Sequence, residues 1–370
     1  MATTLQIAII GGGPGGLMLA RLLQLRGIAV TVFERDTHPD ERPQGGSLDL
    51  HAETGQRAMQ LARLETEFAA AARPEDQGDR LYDRHATLLF DRDGAGDDRP
   101  EIDRSALRRI LLDALVPGTV RWNSKVEAIV AAPAGGYRVD GSPKPYDLVV
   151  GADGAWSKVR SLLSDARPAY EGVTLVELGI DASRHPRIDA LVGSGKMFAA
   201  GDSRLLIGQR NGHDHLRVYA GLRMPEAVAA QWMGWTGEQV RAALRTAFDG
   251  WAPALTEMVD QGEFLGVRPL HALPIGLRWE SRPGLTLLGD AAHLMSPFSG
   301  EGVNLALADA VDLAEAIADG AGLPAISRYE TAMMARAAIA AEGAAAGLET
   351  AFSSDAITAL LAHYRERVHP

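Results

Sequence analysis

Ile7-Ala8-Ile9-Ile10-Gly11-Gly12-Gly13-Pro14-Gly15-Gly16-Leu17-Met18-Leu19-Ala20-Arg21-Leu22-Leu23 is the stretch on which the reading of this 370-residue chain turns. Leu5 to Ile10 is an apolar run of buried-strand length, and the glycines break it. Leu17 to Arg26 carry helical spacing with Leu19, Leu22 and Leu23 on one face, and Gly27 closes that helix. Ile28 to Phe33 is a second strand, so the segment reads as a βαβ unit on a parallel sheet. Gly11, Gly13 and Gly16 form G-x-G-x-x-G: one glycine for the tight turn, one for backbone approach to a diphosphate, one for helix–strand packing. A helix N-terminus starting there offers free N–H groups and a positive dipole end. Glu34 closes the second strand, where a carboxylate accepts from a ribose. Arg35 beside it reads as a solvated side chain, since Glu34 in the ribose position argues against a 2′-phosphate.

Around that unit the proportions are globular, with 46% apolar and 23% charged residues and a formal charge of −11. A chain of this length suits two packed domains. No dense Lys/Arg block is present, which argues against nucleic-acid or anionic-membrane partners. The absence of cysteine excludes disulfides, thiolate metal sites, iron–sulfur clusters and dithiol redox chemistry. No run approaches the ~18 apolar residues of a membrane span, and the first strand leaves no room for a signal core. The expectation is a soluble, cytoplasmic monomer. Further along, Ser105 to Val116 reads as a helix, Val120 to Val130 as extended and Tyr146 to Gly151 as a buried strand. Tyr170 to Leu222 alternates between turns, as an antiparallel sheet does. Thr236 to Phe248 reads as a helix, Leu285 to Leu288 as a strand, and Val303 to Ile317, the region from Ile326 and Asp355 to Arg367 as helices.

Two further segments decide which dinucleotide is meant. Asp147-Leu148-Val149-Val150-Gly151-Ala152-Asp153-Gly154-Ala155-Trp156-Ser157-Lys158-Val159-Arg160 resembles the Asp-Gly motif of single-component flavoprotein monooxygenases of the aromatic-hydroxylase fold. Gly289-Asp290-Ala291-Ala292-His293, followed by Pro297 and by Gly300-Glu301-Gly302-Val303-Asn304, resembles their Gly-Asp motif and the loop beneath the flavin. The three motifs stand in the family order. Gly45-Gly46-Ser47-Leu48-Asp49-Leu50-His51, Gly55-Gln56-Arg57-Ala58-Met59, Pro100-Glu101-Ile102-Asp103-Arg104 and the His293 to Asn304 loop further resemble the tetracycline-inactivating branch, the tetracycline destructases.

The resemblance implies an α/β fold, α+β overall. A Rossmann-like FAD-binding domain (1–75, 101–165, 265–325) is interleaved with an antiparallel-sheet substrate domain (76–100, 166–264), and C-terminal helices (326–370) bridge the two. It implies non-covalent FAD on Gly11, Gly13, Pro14, Gly15 and Gly16, with Glu34 and Arg35 at the adenosine end. Arg104 and Asp290 would hold the ribityl chain and ring, and Pro297 and Gly300 would line the reactive C4a edge. Leu48, Asp49, Asp153, Gly302, Val303 and Asn304 complete the set. No side chain would be a catalytic residue. NADPH or NADH docks transiently as reductant, O₂ is co-substrate, and a C4a-hydroperoxyflavin hydroxylates an aromatic or polycyclic small molecule, tetracycline-type antibiotics among the candidates. His293 carries no Asp/Ser partner pattern and is read as a packing or capping residue. On the antiparallel sheet, Glu177 falls where the tetracycline enzymes have a neutral amide, Arg217 near their histidine and Lys196 near another polar contact. All three also read as exposed strand residues. An FAD-dependent oxidase and a non-catalytic FAD-binding protein remain open alternatives.

Overall fold

The computed structural model describes residues 5–41, 45–320 and 322–368. The opening unit forms as its sequence dictates. Ile7–Ile10 is a fully buried strand, Gly13 ends the turn with Pro14 at the first helical position of Pro14–Leu25, and Val30–Phe33 returns parallel to the first strand. A five-stranded parallel sheet follows in the order Leu285–Leu287, Leu148–Gly151, Ile7–Ile10, Val30–Phe33, Val120–Arg121. Its apolar faces are covered by the helices Pro14–Leu25, Arg104–Asp113 and Gly302–Ala318, which join it in one core. Of the extended stretch expected over 120–130, only Val120–Arg121 and Ile129–Ala131 are strands.

The second sheet has seven strands: Glu263–Ala272, Ala169–Asp181, His215–Arg223, Arg204–Arg210, Gly195–Gly201, Gly78–Asp83 and Leu88–Arg92. All its neighbours are antiparallel except Gly195–Gly201 with Gly78–Asp83. The strand Glu263–Ala272 pairs with Ala169–Asp181, so this sheet runs past the boundary expected at 264. Side chains of one strand alternate between faces. Val176, Leu178 and Ile180 point into a core with Trp232, Leu244, Phe248 and Leu255. Val173 and Leu175 point the other way, toward Leu348, Ala351, Phe352 and Ala356 of the C-terminal segment. Glu177 shares the parity of Val173 and Leu175. The register then brings Arg217, Tyr219, Ile207, Gln209, Lys196 and Phe198 onto that same face.

The C-terminal helix Leu323–Ala351 runs 29 residues, rich in alanine, the strongest helix former. At its start the hydroxyl of Tyr329 donates to the Leu287 carbonyl at 2.8 Å. Glu330, 1% exposed, accepts from Trp279, Ser281 and Thr286, which pins the helix to the edge of the parallel sheet. Further on, Ser296 donates to the Ala344 carbonyl at 3.0 Å. No described helix is long and apolar enough to cross a membrane.

Replacing Glu330 by Ala takes the acceptor from one buried donor, Thr286, and two half-buried ones, Trp279 and Ser281, so Glu330→Ala should lower unfolding stability by about 2–3 kcal/mol. Urea unfolding reads this; an unchanged midpoint would show that the helix is held by packing alone.

Candidate cofactor and substrate site

Three turns meet at the carboxyl ends of Ile7–Ile10, Leu148–Gly151 and Leu285–Leu287, where ligands bind in open parallel sheets. Gly11 has φ +113, and a β-carbon there would lie 2.2 Å from the Ala152 carbonyl oxygen, so the first and second motifs touch through backbone alone. Gly15 fixes the crossing of the helices Pro14–Leu25 and Gly302–Ala318: a β-carbon there would lie 2.7 Å from Leu288 Cδ1 and 3.1 Å from the Ala306 oxygen. Around Gly13 there is open space. The first intrahelical bond runs from Leu17 N–H to Gly13 O at 3.0 Å, leaving the N–H groups before it for an anion. Arg160, 3% exposed, joins the second motif to the third by donating to the Ala291 carbonyl at 3.0 Å.

Glu34 is buried at the end of its strand, as expected for a ribose acceptor. Its Oε2 accepts from Gly12 N–H at 2.7 Å and its Oε1 from Asp36 N–H at 3.0 Å. Each carboxylate oxygen retains a lone pair for a ligand hydroxyl. Arg35 is exposed. A second guanidinium, that of Arg108, is 2% exposed, donates to Gly12 O at 3.2 Å and Asp36 Oδ2 at 3.1 Å and lies 3.9 Å from Glu34 Oε2. The sequence signal for it was present but unread: one arginine on the apolar face of the helix that Arg104 begins.

Asp153 caps its own turn, with Oδ2 accepting from Lys158 N–H at 2.7 Å, while its buried Oδ1 has no partner among the described residues. Burial pushes this carboxyl up, against the hydrogen bonds from Ser157 and the backbone. Asp290 is exposed at the head of the four-residue helix Asp290–His293, and Pro297 and Gly300 are exposed on the loop after it. That loop leads through Gly302 and Val303 into the helix Gly302–Ala318. Asn304 is fully buried: its Oδ1 accepts from His51 N–H at 2.9 Å and its Nδ2 donates to Asp49 O at 3.0 Å, tying the helix to the strand Ser47–Asp49. The sequence reading gave His293 no acidic partner. The fold supplies one, because Asp309 Oδ2 lies 2.6 Å from His293 Nε2.

Glu177, Lys196 and Arg217 are not free strand residues. Glu177, 4% exposed, pairs with Arg217 at 2.9 Å and Arg268 at 3.0 Å. Lys196 lies 2.7 Å from Glu101, and Glu101 also accepts from Ser47 Oγ at 2.5 Å. Burial opposes the charge on Lys196, but Glu101 and Asp49 more than reverse this and hold its ammonium above the ordinary lysine range. Burial likewise pushes the Asp49 carboxyl up; Lys196 and His51 overcome it and hold it well below the usual carboxylate range. His51 in turn lies 3.6 Å from Glu301 on the loop beside Gly300. Above this face runs Gly45-Gly46. A β-carbon on Gly46 would lie 2.7 Å from the Tyr219 hydroxyl and 2.8 Å from Gln209 Oε1, and one on Gly45 would lie 3.2 Å from Arg104 Cδ. Arg104, exposed at its helix start, therefore borders the same space as Tyr219, Gln209 and Arg217. The polar network of Glu101, His51, Gln209 and Tyr219 was missed in the sequence, because strand pairing brings it together across 168 positions of chain.

These residues fit FAD. A close-approach turn with open space at Gly13, the buried Glu34 carboxylate, an unpartnered buried oxygen on Asp153 and the exposed Asp290 provide the donors, acceptors and room that a dinucleotide needs. Comparison with known proteins agrees. A family model described as an FAD binding domain matches residues 4–342. Monooxygenase asqM of Emericella nidulans is 33% identical over 378 residues, covering 84% of this chain and 83% of that protein. The 3-amino-4-hydroxybenzoate 2-monooxygenase PtmB3 of Streptomyces platensis is 30% identical, covering 90% of this chain and 84% of that protein. Among solved structures, tetracycline destructase Tet(51) superposes with TM-score 0.73 at 18% identity, covering 100% of this chain and 95% of that one.

Lys196→Met leaves Glu101 and Asp49 without their shared cation and should cost about 2–4 kcal/mol at pH 7. Because Asp49 is depressed in the folded state, its stabilisation is present above the usual carboxylate range and fades as pH falls through the folded value. The penalty should therefore be full at pH 7 and smaller at about pH 3, below the ordinary carboxylate value, where the wild type is losing the Asp49 contribution. Urea unfolding at both pH values checks this, and an equal penalty at both contradicts the charge pairing.

Proposed function

The chain belongs to the FAD binding domain family and is a flavin-dependent monooxygenase, and we propose that it hydroxylates an aromatic or polycyclic small molecule with mixed polar groups along one edge. One observation carries the reading. The sheet register sets Glu177, Arg217, Gln209 and Lys196 on the single face that also presents Phe198, Ile207 and Tyr219. An acceptor, two cations and an amide stand beside apolar and aromatic surface, which suits a flat ring system bearing both donor and acceptor substituents.

FAD, held by the Gly11–Gly16 turn, Glu34, Asp153 and Asp290, supplies the electron transfer to O₂ and the oxygen insertion when bound. The chain's own task is to orient the ring and keep water from the reacting edge. Phe298, packed edge-on against Phe352 at 5.7 Å, closes the site on the side of the C-terminal helix. Lys196, kept charged by Glu101 and Asp49, places a cation at the polar edge, where an ionised or carbonyl oxygen of the substrate is favoured. Glu177, neutralised by two guanidiniums, favours a substrate N–H or O–H donor over a second carboxylate. The likeness of the His293 to Asn304 loop and the Gly45 to His51 segment to the tetracycline-inactivating enzymes supports polycyclic antibiotics as one class, and PtmB3 supports amino-hydroxybenzoates as another. Either NADPH or NADH docks transiently as reductant, since the described residues contain one glycine-turn βαβ unit.

A panel of tetracyclines, amino-hydroxybenzoates and simple phenols under ¹⁸O₂ with NADPH tests this. One ¹⁸O atom in the product, with reductant consumption accelerated by that compound, is expected. Peroxide without label marks an oxidase, and no compound stimulating consumption marks a non-catalytic flavin binder; either result overturns the proposal.

A further inference from the structure

The turn that presents Asp290 is held by a carboxylate belonging to none of the three motifs. Asp309, on the helix Gly302–Ala318, is fully buried. Its Oδ2 accepts from Gly289 N–H at 3.0 Å and lies 2.6 Å from His293 Nε2, so it grips both ends of the short helix Asp290–His293. Its Oδ1 accepts at 2.9 Å from Arg336, which stands on the C-terminal helix Leu323–Ala351 and also donates to Asp312 at 2.9 Å. A buried carboxylate with these partners is secure, and losing one cation leaves it under-compensated. Burial opposes a charge on His293, but Asp309 and then Asp290 raise its pKa above the ordinary imidazole value. Burial likewise opposes charge on Asp309, and His293, Gly289 N–H and Arg336 overcome it. The Nδ1 of His293 has no hydrogen-bond partner among the described residues. His293 also lines a small pocket of about 20 Å³ with Ala292, Met333 and Ala337.

We propose that Asp309 and Arg336 are positioning residues for the cofactor: through Gly289 N–H and His293 they fix Asp290, so that the C-terminal helix sets how tightly FAD is held. This rests on the flavin reading above, and it gives the helix a role in the cofactor site as well as over the sheet. Both oxygens of Asp309 are committed inside the protein, whereas Asp290 is exposed. The effect on FAD is therefore indirect and travels through the backbone of one turn.

The test is FAD titration of apoprotein by fluorescence, with thermal melting of the same apoproteins, for wild type, Arg336→Met, Arg336→Lys and Asp309→Asn. Arg336 sits at the edge of the cluster with a side chain 32% exposed, and the melting curves show whether each variant folds. Arg336→Met should weaken FAD binding about tenfold, and Arg336→Lys should recover most of that loss. The raised His293 contributes fully at acidic pH and is lost as pH rises through its folded value. The wild-type melting temperature should thus decline on the alkaline side, a dependence that Asp309→Asn removes along with the imidazolium's counter-ion. His293 is faced by Asp309 and Asp290, and Arg336, Asp312 and the buried Tyr329 surround Asp309. Arg336→Met with wild-type affinity, or with a lower melting temperature and unchanged affinity, overturns the positioning role. Wild type that takes up no FAD overturns the flavin reading, and this proposal with it.

Discussion

Backbone packed on backbone at Gly11 is the contact on which this architecture rests. With a β-carbon position only 2.2 Å from the Ala152 oxygen, no side chain fits there, and the ends of the two central strands can meet only through glycine. That meeting puts the glycine turn, the Asp153 turn and the Asp290 turn at one edge of the parallel sheet. Gly15 repeats the constraint one layer out, where the Gly302–Ala318 helix crosses close enough to bring Asn304 and Asp309 under the same edge. The cofactor site is a consequence of how closely five strands and two helices approach, and the polar groups decorate that approach.

Charge is handled in the same economical way. The net charge of −11 coexists with a binding site for an anion because helix-start and turn N–H groups meet phosphates without basic side chains. Several arginines and a lysine serve carboxylates instead: Arg108 at Asp36 and Glu34, Lys196 at Glu101, Arg217 and Arg268 at Glu177, Arg336 at Asp309. Each pair ties elements distant in sequence. Lys196 and Glu101 join the seven-stranded sheet to the small ribbon of Ser47–Asp49 and Glu101–Asp103, and Arg336 joins the C-terminal helix to the cofactor turn. Buried ion pairs of this kind stabilise little on net but fix orientation, which is what a site between two sheets requires.

Much of this was legible in the chain. The strand, glycine turn, helix and strand of residues 5–33 follow from local pattern alone, and so do the buried strands ending at Gly151 and Leu287, because hydrophobic period and glycine position are local signals. The capping box of Thr236 and Gln239 likewise starts its helix where expected. What stayed hidden was pairing. Glu177 looked like an exposed strand residue because its two arginines sit 40 and 91 positions away. His293 looked partnerless because Asp309 reaches it only after the chain has turned through a loop into a new helix. Arg108 and Arg336 lie on helix faces whose burial depends on what packs above them. The resemblance located the motifs; the sheet register brought together the face proposed for the substrate.

The central claim is that the three turns build one FAD site. Isothermal titration of apoprotein with FAD tests it most directly. The account predicts one FAD per chain, with binding abolished or greatly weakened by Gly13→Asp, which places a carboxylate in the open space proposed for a diphosphate, at a position where an added β-carbon meets nothing within 4 Å. Absence of binding by the wild-type protein, or undiminished binding by that variant, would contradict it.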